Sequence, residues 1–184
     1  MGDRRDRRGL SLARVRRYPL SDADIRRLLG ADIAIHNYPD LKSMGSVDQL
    51  FDGKGRAVLL YPNSSPTSGH WVALIKRPTE IEFFDPYGEA PDTQNDELPT
   101  EYLAGLGAAE PHLTRLLRAS GKRVIYNTHA FQKDRGDIAT CGRHAVTRLL
   151  YAPYSLDRYK KVLDSSGLPA DDFVAGLTYD RLRK

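Results

Sequence analysis

Three apolar segments in close succession constrain this chain more than any other feature. Ala57-Val58-Leu59-Leu60-Tyr61 is an unbroken apolar run bounded by Gly55 and Pro62. A run of that kind is a strand buried on both faces, which requires a central sheet with helices above and below it. His70-Trp71-Val72-Ala73-Leu74-Ile75-Lys76 is a second strand and Ile81-Glu82-Phe83-Phe84-Asp85 a third, with a turn at Pro78-Thr79 and a stop at Pro86-Tyr87-Gly88. The short turn predicts an antiparallel hairpin. Its far ends, His70 at a strand start and Asp85 at a strand end, fall on neighbouring strands at one edge of the sheet. The segment 62–69, rich in Pro, Ser and Asn, reads as a loop.

The remainder supplies the covering layers. Ser21, with Asp24 three residues on, opens a helix through Ile25, Leu28 and Leu29 that stops at Gly30. Residues 32–38 read as extended, and Ser46 opens a brief helical turn before Asp52-Gly53. Residues 88–100 read as loop, 102–119 as two helical pieces broken around 107–111, and 122–127 as a fourth strand. Helices follow from Cys141, from Ser155 and around 171–177. The fold class is α+β, with a mixed central sheet of four to five strands flanked by helices.

At 184 residues the chain suits one domain, and no repeat is visible. The net charge of +4 is concentrated at the start, where residues 1–17 hold seven arginines (Arg4, Arg5, Arg7, Arg8, Arg14, Arg16, Arg17) against Asp3 and Asp6. Residues 18–184 are left with 21 basic and 22 acidic residues, near neutrality. The division is therefore a flexible basic arm over 1–17 and a domain over 18–184. For the arm, a solvated tail, a nucleic-acid-binding segment and an import signal stand side by side. A single cysteine, Cys141, gives no disulfide framework and suits a reducing compartment, and no apolar run has the length of a membrane span. No membrane is expected, and a monomer is.

Cys141 follows Thr140, an N-cap residue type, and precedes the helically spaced Ala145, Val146, Leu149 and Leu150. In a first helical turn the unpaired amides and the helix dipole favour a thiolate. The simplest alternative is a buried structural cysteine on the 141/145/149 stripe. A nucleophile needs a base, an orienting group and an oxyanion donor. His70 and Asp85 answer to the first two, and Gln132, nine residues before Cys141, offers an amide for the third. Gly142 gives a substrate backbone room to approach, and Trp71 is a substrate-side aromatic or a core residue. His144 is the rival base, ranked second because no carboxylate orienter is visible for it. His36, His112 and His129 receive no assignment. A zinc site from Cys141, His70, His144 and Asp85 is a poor fit, because one thiol without CxxC or HxxxH spacing is a weak metal signal. No metal is expected.

Gly69-His70-Trp71, Phe84-Asp85-Pro86-Tyr87-Gly88, a loop Gln and Cys141-Gly142, in the order His, Asp, Gln, Cys, resemble the adenain/Ulp-type cysteine proteases. These include adenovirus-type maturation proteases and SUMO-deconjugating enzymes. The segments 69–88 and 140–151 are also similar to proteases carried by large DNA viruses, virophages and related integrating elements. The resemblance implies a papain-like fold in permuted order, with His70 as base, Asp85 as orienter, Gln132 in the oxyanion hole and Cys141 as nucleophile. It departs from the family in a slightly long Gln132 to Cys141 loop and in Arg-His-Ala after Cys141-Gly142. The implied function is a cysteine endopeptidase cutting capsid or virion precursors, in the virion interior or in host cytoplasm or nucleus. It requires no cofactor, and a polyanion such as DNA is a candidate activator. Two alternatives stand beside it, a ubiquitin-like-protein isopeptidase and a non-enzymatic nucleic-acid-binding virion protein.

Overall fold

The structure is a computed structural model that describes residues 12–65, 68–96 and 98–184. Five strands, β1 (Ala34–Asn37), β2 (Arg56–Ser65), β3 (Ser68–Lys76), β4 (Glu80–Phe84) and β5 (Arg123–Tyr126), form one sheet in sequential order. The two hairpin contacts, β2 with β3 and β3 with β4, are antiparallel, whereas the edge strands β1 and β5 pair in parallel. Parallel pairing needs a crossover, and the β4 to β5 connection supplies one with α3 (Thr100–Leu106) and α4 (His112–Ala119). The architecture is α+β with a five-stranded mixed sheet flanked by helices.

Alternation along the strands divides the core in two. Val58 and Leu60 of β2, Trp71, Ala73 and Ile75 of β3 and Phe84 of β4 face one layer. That layer is built from α2 (Asp22–Leu29), α5 (Cys141–Leu150), α6 (Leu156–Ser165) and α7 (Ala170–Leu182). Ala57, Leu59, Tyr61, Val72, Leu74, Ile81 and Phe83 face the other, beneath α3, α4 and the 3-10 turns Tyr38–Ser43 and Val47–Leu50. The unbroken apolar run is thus buried on both faces because its odd and even positions enter different cores.

Local signals set the helix ends. Ser21 Oγ accepts from Asp24 N–H and Asp24 accepts from Ser21 N–H, a reciprocal cap, and Gly30 leaves the helix at φ +108°. Of the segment expected to be a loop at 62–69, residues 62–65 and 68–69 are instead the extended ends of β2 and β3. Strand β2 tolerates Pro62 because the register shifts between Pro62 and Ser65. His70 is therefore the third residue of its strand, paired with Tyr61. Gly69 is required there, since a Cβ would stand 1.9 Å from the Tyr61 carbonyl oxygen.

The boundary drawn at residue 17 shifts. Leu12–Arg16 forms a short helix, α1, whose Val15 is buried and whose Arg16 pairs with Asp172 of α7. One apolar anchor and one ion pair dock the end of the basic segment on the domain. Arg4, Arg5, Arg7 and Arg8 lie outside the described residues. Among the described residues, no helix is long and apolar enough to cross a membrane.

Candidate active site

Helix α5 begins at Cys141, packed over β3. Thr140 is its N-cap by position, but its hydroxyl donates to Asp171 Oδ1 at 2.6 Å and does not cap the helix. The first-turn amides are left to other partners. The Gly142 and Trp71 N–H groups and the His70 ring face the Cys141 sulfur and favour its thiolate. Cys141 is partly exposed.

His70 Nε2 lies 3.0 Å from Asp85 Oδ1, so Nδ1 is the ring nitrogen that serves the thiol. Asp85 is fully buried and closely held. Its Oδ1 also accepts from Tyr87 N–H at 2.6 Å, its Oδ2 accepts from Gln94 Nε2 at 2.5 Å, and its backbone is clamped from both sides by the Asn127 amide. Burial works against a charge on His70. The Asp85 and Cys141 contacts outweigh it and push the imidazole up to about 10. Burial likewise raises the Cys141 thiol, and the His70 contact with the two amides brings it below its ordinary value. Both shifts favour a thiolate-imidazolium pair at neutral pH.

Tyr87 stacks on His70 with ring centroids 4.8 Å apart and covers the pair from water. Gln132 is buried, its backbone N–H donates to Pro86 O, and its Nε2 donates to Tyr87 Oη at 3.0 Å. One Nε2 hydrogen thus remains, beside an Oε1 with no partner among the described residues. His70, Tyr87, Gln94 and Gln132 line one cleft of about 780 Å³. Its rim carries Glu89, Asp96 and Asp134, and no lysine or arginine lines it among the described residues.

Two expectations are corrected. Trp71 is not a substrate-side ring: it is buried in the core and its Nε1 donates to Leu20 O at 3.2 Å. Gly142 does not leave room for substrate. A Cβ there would meet Trp71 Cδ1 at 3.1 Å and Leu20 Cβ at 3.2 Å, so the glycine lets α5 seat against these two side chains. His144 does have a carboxylate, Asp171, at 3.0 Å from Nε2, but the ring is fully buried and Nδ1 has no partner among the described residues. Burial keeps that imidazole below its ordinary value. His36 and His112 bond backbone carbonyls, and His129 packs edge-on to Phe131. Among the described residues no three His, Cys, Asp or Glu side chains converge as metal ligands. Sequence reasoning missed Gln94 and Asn127, since a loop glutamine and a strand-end asparagine carry no pattern pointing at Asp85.

No protein-family model matches the chain. A search of curated proteins finds the uncharacterized protein V9 of Sputnik virophage, 36% identical over 146 residues, covering 79% of this chain and 83% of that protein. Identity of that extent over most of both chains places this protein in the family of the Sputnik virophage protein V9.

Proposed function

We propose that this chain is a cysteine endopeptidase of the adenain/Ulp type, papain-like in permuted order, that cuts capsid or virion precursor proteins. The observation that carries the reading is an imidazole held through one nitrogen by a buried carboxylate at 3.0 Å and set against a sulfur at a helix start. The Cys141 thiolate attacks the scissile carbonyl carbon, and the carbonyl π pair moves to oxygen. The Gln132 amide, released from Tyr87 or using its second N–H, donates to that oxyanion with a first-turn backbone N–H. Collapse expels the amine, which takes the Nδ1 proton of His70. Neutral His70 then takes a proton from water as the hydroxide attacks the acyl carbon, and the thiolate leaves. Asp85 fixes the ring and balances its charge throughout. The acidic rim of Glu89, Asp96 and Asp134 attracts substrate segments bearing lysine or arginine.

The relative from a virophage supports a virion substrate over a cellular conjugate. Incubating candidate precursor proteins with the wild type and with Cys141→Ala, followed by mass spectrometry of new termini, tests the reading. Fragments that appear equally with both proteins end it. The proposal extends to nucleic acid as activator, through Arg4, Arg5, Arg7 and Arg8 with the exposed Arg14 and Arg17, while Arg16 is engaged by Asp172. Each phosphate contact contributes about 0.9 to the slope of log K against log salt. Removing residues 1–11 is expected to lower that slope by several units; an unchanged slope removes the arm from the binding site.

A further inference from the structure

Two arginines of α5 are buried, and among the described residues only one is paired with an anion. Arg148 holds Glu82 through Nε and Nη2 at 2.6 and 2.8 Å. Arg143 is 2% exposed, yet its contacts are neutral: Nη1 donates to Thr178 Oγ1 at 2.6 Å and Nη2 to the Tyr18 carbonyl at 3.3 Å. Its Nε is buried with no partner among the described residues. Burial lowers this guanidinium to about 10, which leaves it a cation at neutral pH. Asp24 acts on it from a distance, but that carboxylate is committed to the Ser21 cap. A buried cation ordinarily has a counter-charge.

Arg143 lines a cavity of about 400 Å³ between α1, α5 and α7, apart from the catalytic cleft. Val15, Tyr18, Tyr179 and Leu182 wall it, and Arg14 and Arg183 stand with Arg143 in its lining. Neither of those arginines pairs with a carboxylate among the described residues; Arg183 donates to the Tyr179 hydroxyl. Three cations and apolar walls set the charge and shape of a ligand that would fit it. Its volume lies in the range of small-ligand sites. A phosphate ion would have to shed its hydration against those walls, whereas a carboxylate on an apolar body satisfies both features.

We propose that this cavity binds a carboxylate ligand with an apolar body, the carboxylate on Arg143 and the body between Tyr18, Tyr179 and Leu182. The site stands independently of the protease reading, and Arg14 lies in its lining as well as at the end of the basic segment. The test is calorimetric titration of the full chain at low salt with 4-phenylbutyrate, its neutral amide 4-phenylbutanamide, and inorganic phosphate. Saturable one-to-one binding of the carboxylate is expected, with the amide weaker by about tenfold or more and phosphate weaker still. Melting temperature should rise with phenylbutyrate concentration. Leu182→Trp keeps all three cations and fills the cavity, so it should abolish binding. The paired Arg14→Gln and Arg183→Gln changes, at outlying positions that the fold does not need, should weaken it several-fold. Equal binding of acid and amide, phosphate binding as tight as phenylbutyrate, undiminished affinity in Leu182→Trp, or no saturable binding into the millimolar range would each overturn the assignment.

Discussion

The molecule holds two histidine-aspartate pairs of the same length, His70 with Asp85 and His144 with Asp171, each joined through Nε2 at 3.0 Å. Their imidazoles move in opposite directions, His70 up to about 10 and His144 below its ordinary value. The carboxylate is common to both, so it cannot be what separates them. The second ring nitrogen differs: in His70 it meets a sulfur that is stabilised as a thiolate, and in His144 it meets nothing among the described residues. With two anions the imidazole becomes imidazolium. With one, complete burial keeps it neutral, and it serves as a strut. Asp171 accepts from His144, from the Thr140 hydroxyl and from Lys133 N–H, so that pair holds the 133–140 loop to the start of α5.

The largest expected effect breaks the comparison outright. Cys141→Ala and His70→Ala should each lower kcat/KM on a precursor by roughly 10⁴-fold or more with unchanged circular dichroism, while His144→Gln keeps activity within about tenfold. Full activity in His70→Ala with a dead His144→Gln would exchange the two roles.

The carboxylates come next. Asp85→Asn should cost roughly 10²-fold or more in kcat, because the amide disturbs both the tautomer and the charge of the base. Asp171→Asn should leave kcat nearly intact and cost about 2 kcal/mol in urea denaturation, through three weakened buried hydrogen bonds. A variant at Asp171 that loses activity and keeps its stability would contradict the strut. For Gln132→Ala a fall in kcat of roughly 10²-fold is expected; a twofold fall would hand the oxyanion to backbone amides alone.

Acidity sharpens the contrast through stability. His70 has a raised folded pKa, so its contribution is fully present below the unfolded value of 6.5 and is lost as pH rises through about 10. His144 has a lowered one, so its contribution is present above 6.5 and is lost as pH falls through its depressed folded value. Melting temperature against pH should therefore flatten on the alkaline limb in His70→Gln and on the acid limb in His144→Gln. The same limb flattening in both would remove the distinction. The smallest effect concerns Trp71→Phe, which loses one bond to the Leu20 carbonyl and should cost about 1 kcal/mol without a change in KM. A raised KM would return Trp71 to the substrate.

Much of the sheet and the helix starts could be read locally. The apolar run at 57–61, the turn at Pro78-Thr79 and the reciprocal cap at Ser21 each act over a few residues, and each appears where expected. The His70 and Asp85 juxtaposition was legible for the same reason, since a short hairpin converts spacing into proximity. Trp71 and Gly142 were misread because their neighbour, Leu20, comes from a distant segment. The extended strand ends at 62–65 and 68–69 were missed because Pro, Ser and Asn suit turns, and only the β2–β3 pairing holds them straight.

By itself, then, the sequence determined where the central strands run at 57–61, 70–76 and 81–84, that they are buried on both faces, and that Cys141 begins a helix. Those outcomes follow from side-chain periodicity and from backbone groups satisfied within a few residues. Tertiary structure decided the charge states. Glu82 alternates with apolar residues as if it faced solvent, yet it is fully buried against Arg148, 66 residues away. His144 found its carboxylate on the last helix, and Arg143 was carried into a cavity lined by none among the described residues. A side chain's ionisation depends on every group within several ångströms of it, and those groups are gathered only when distant segments pack.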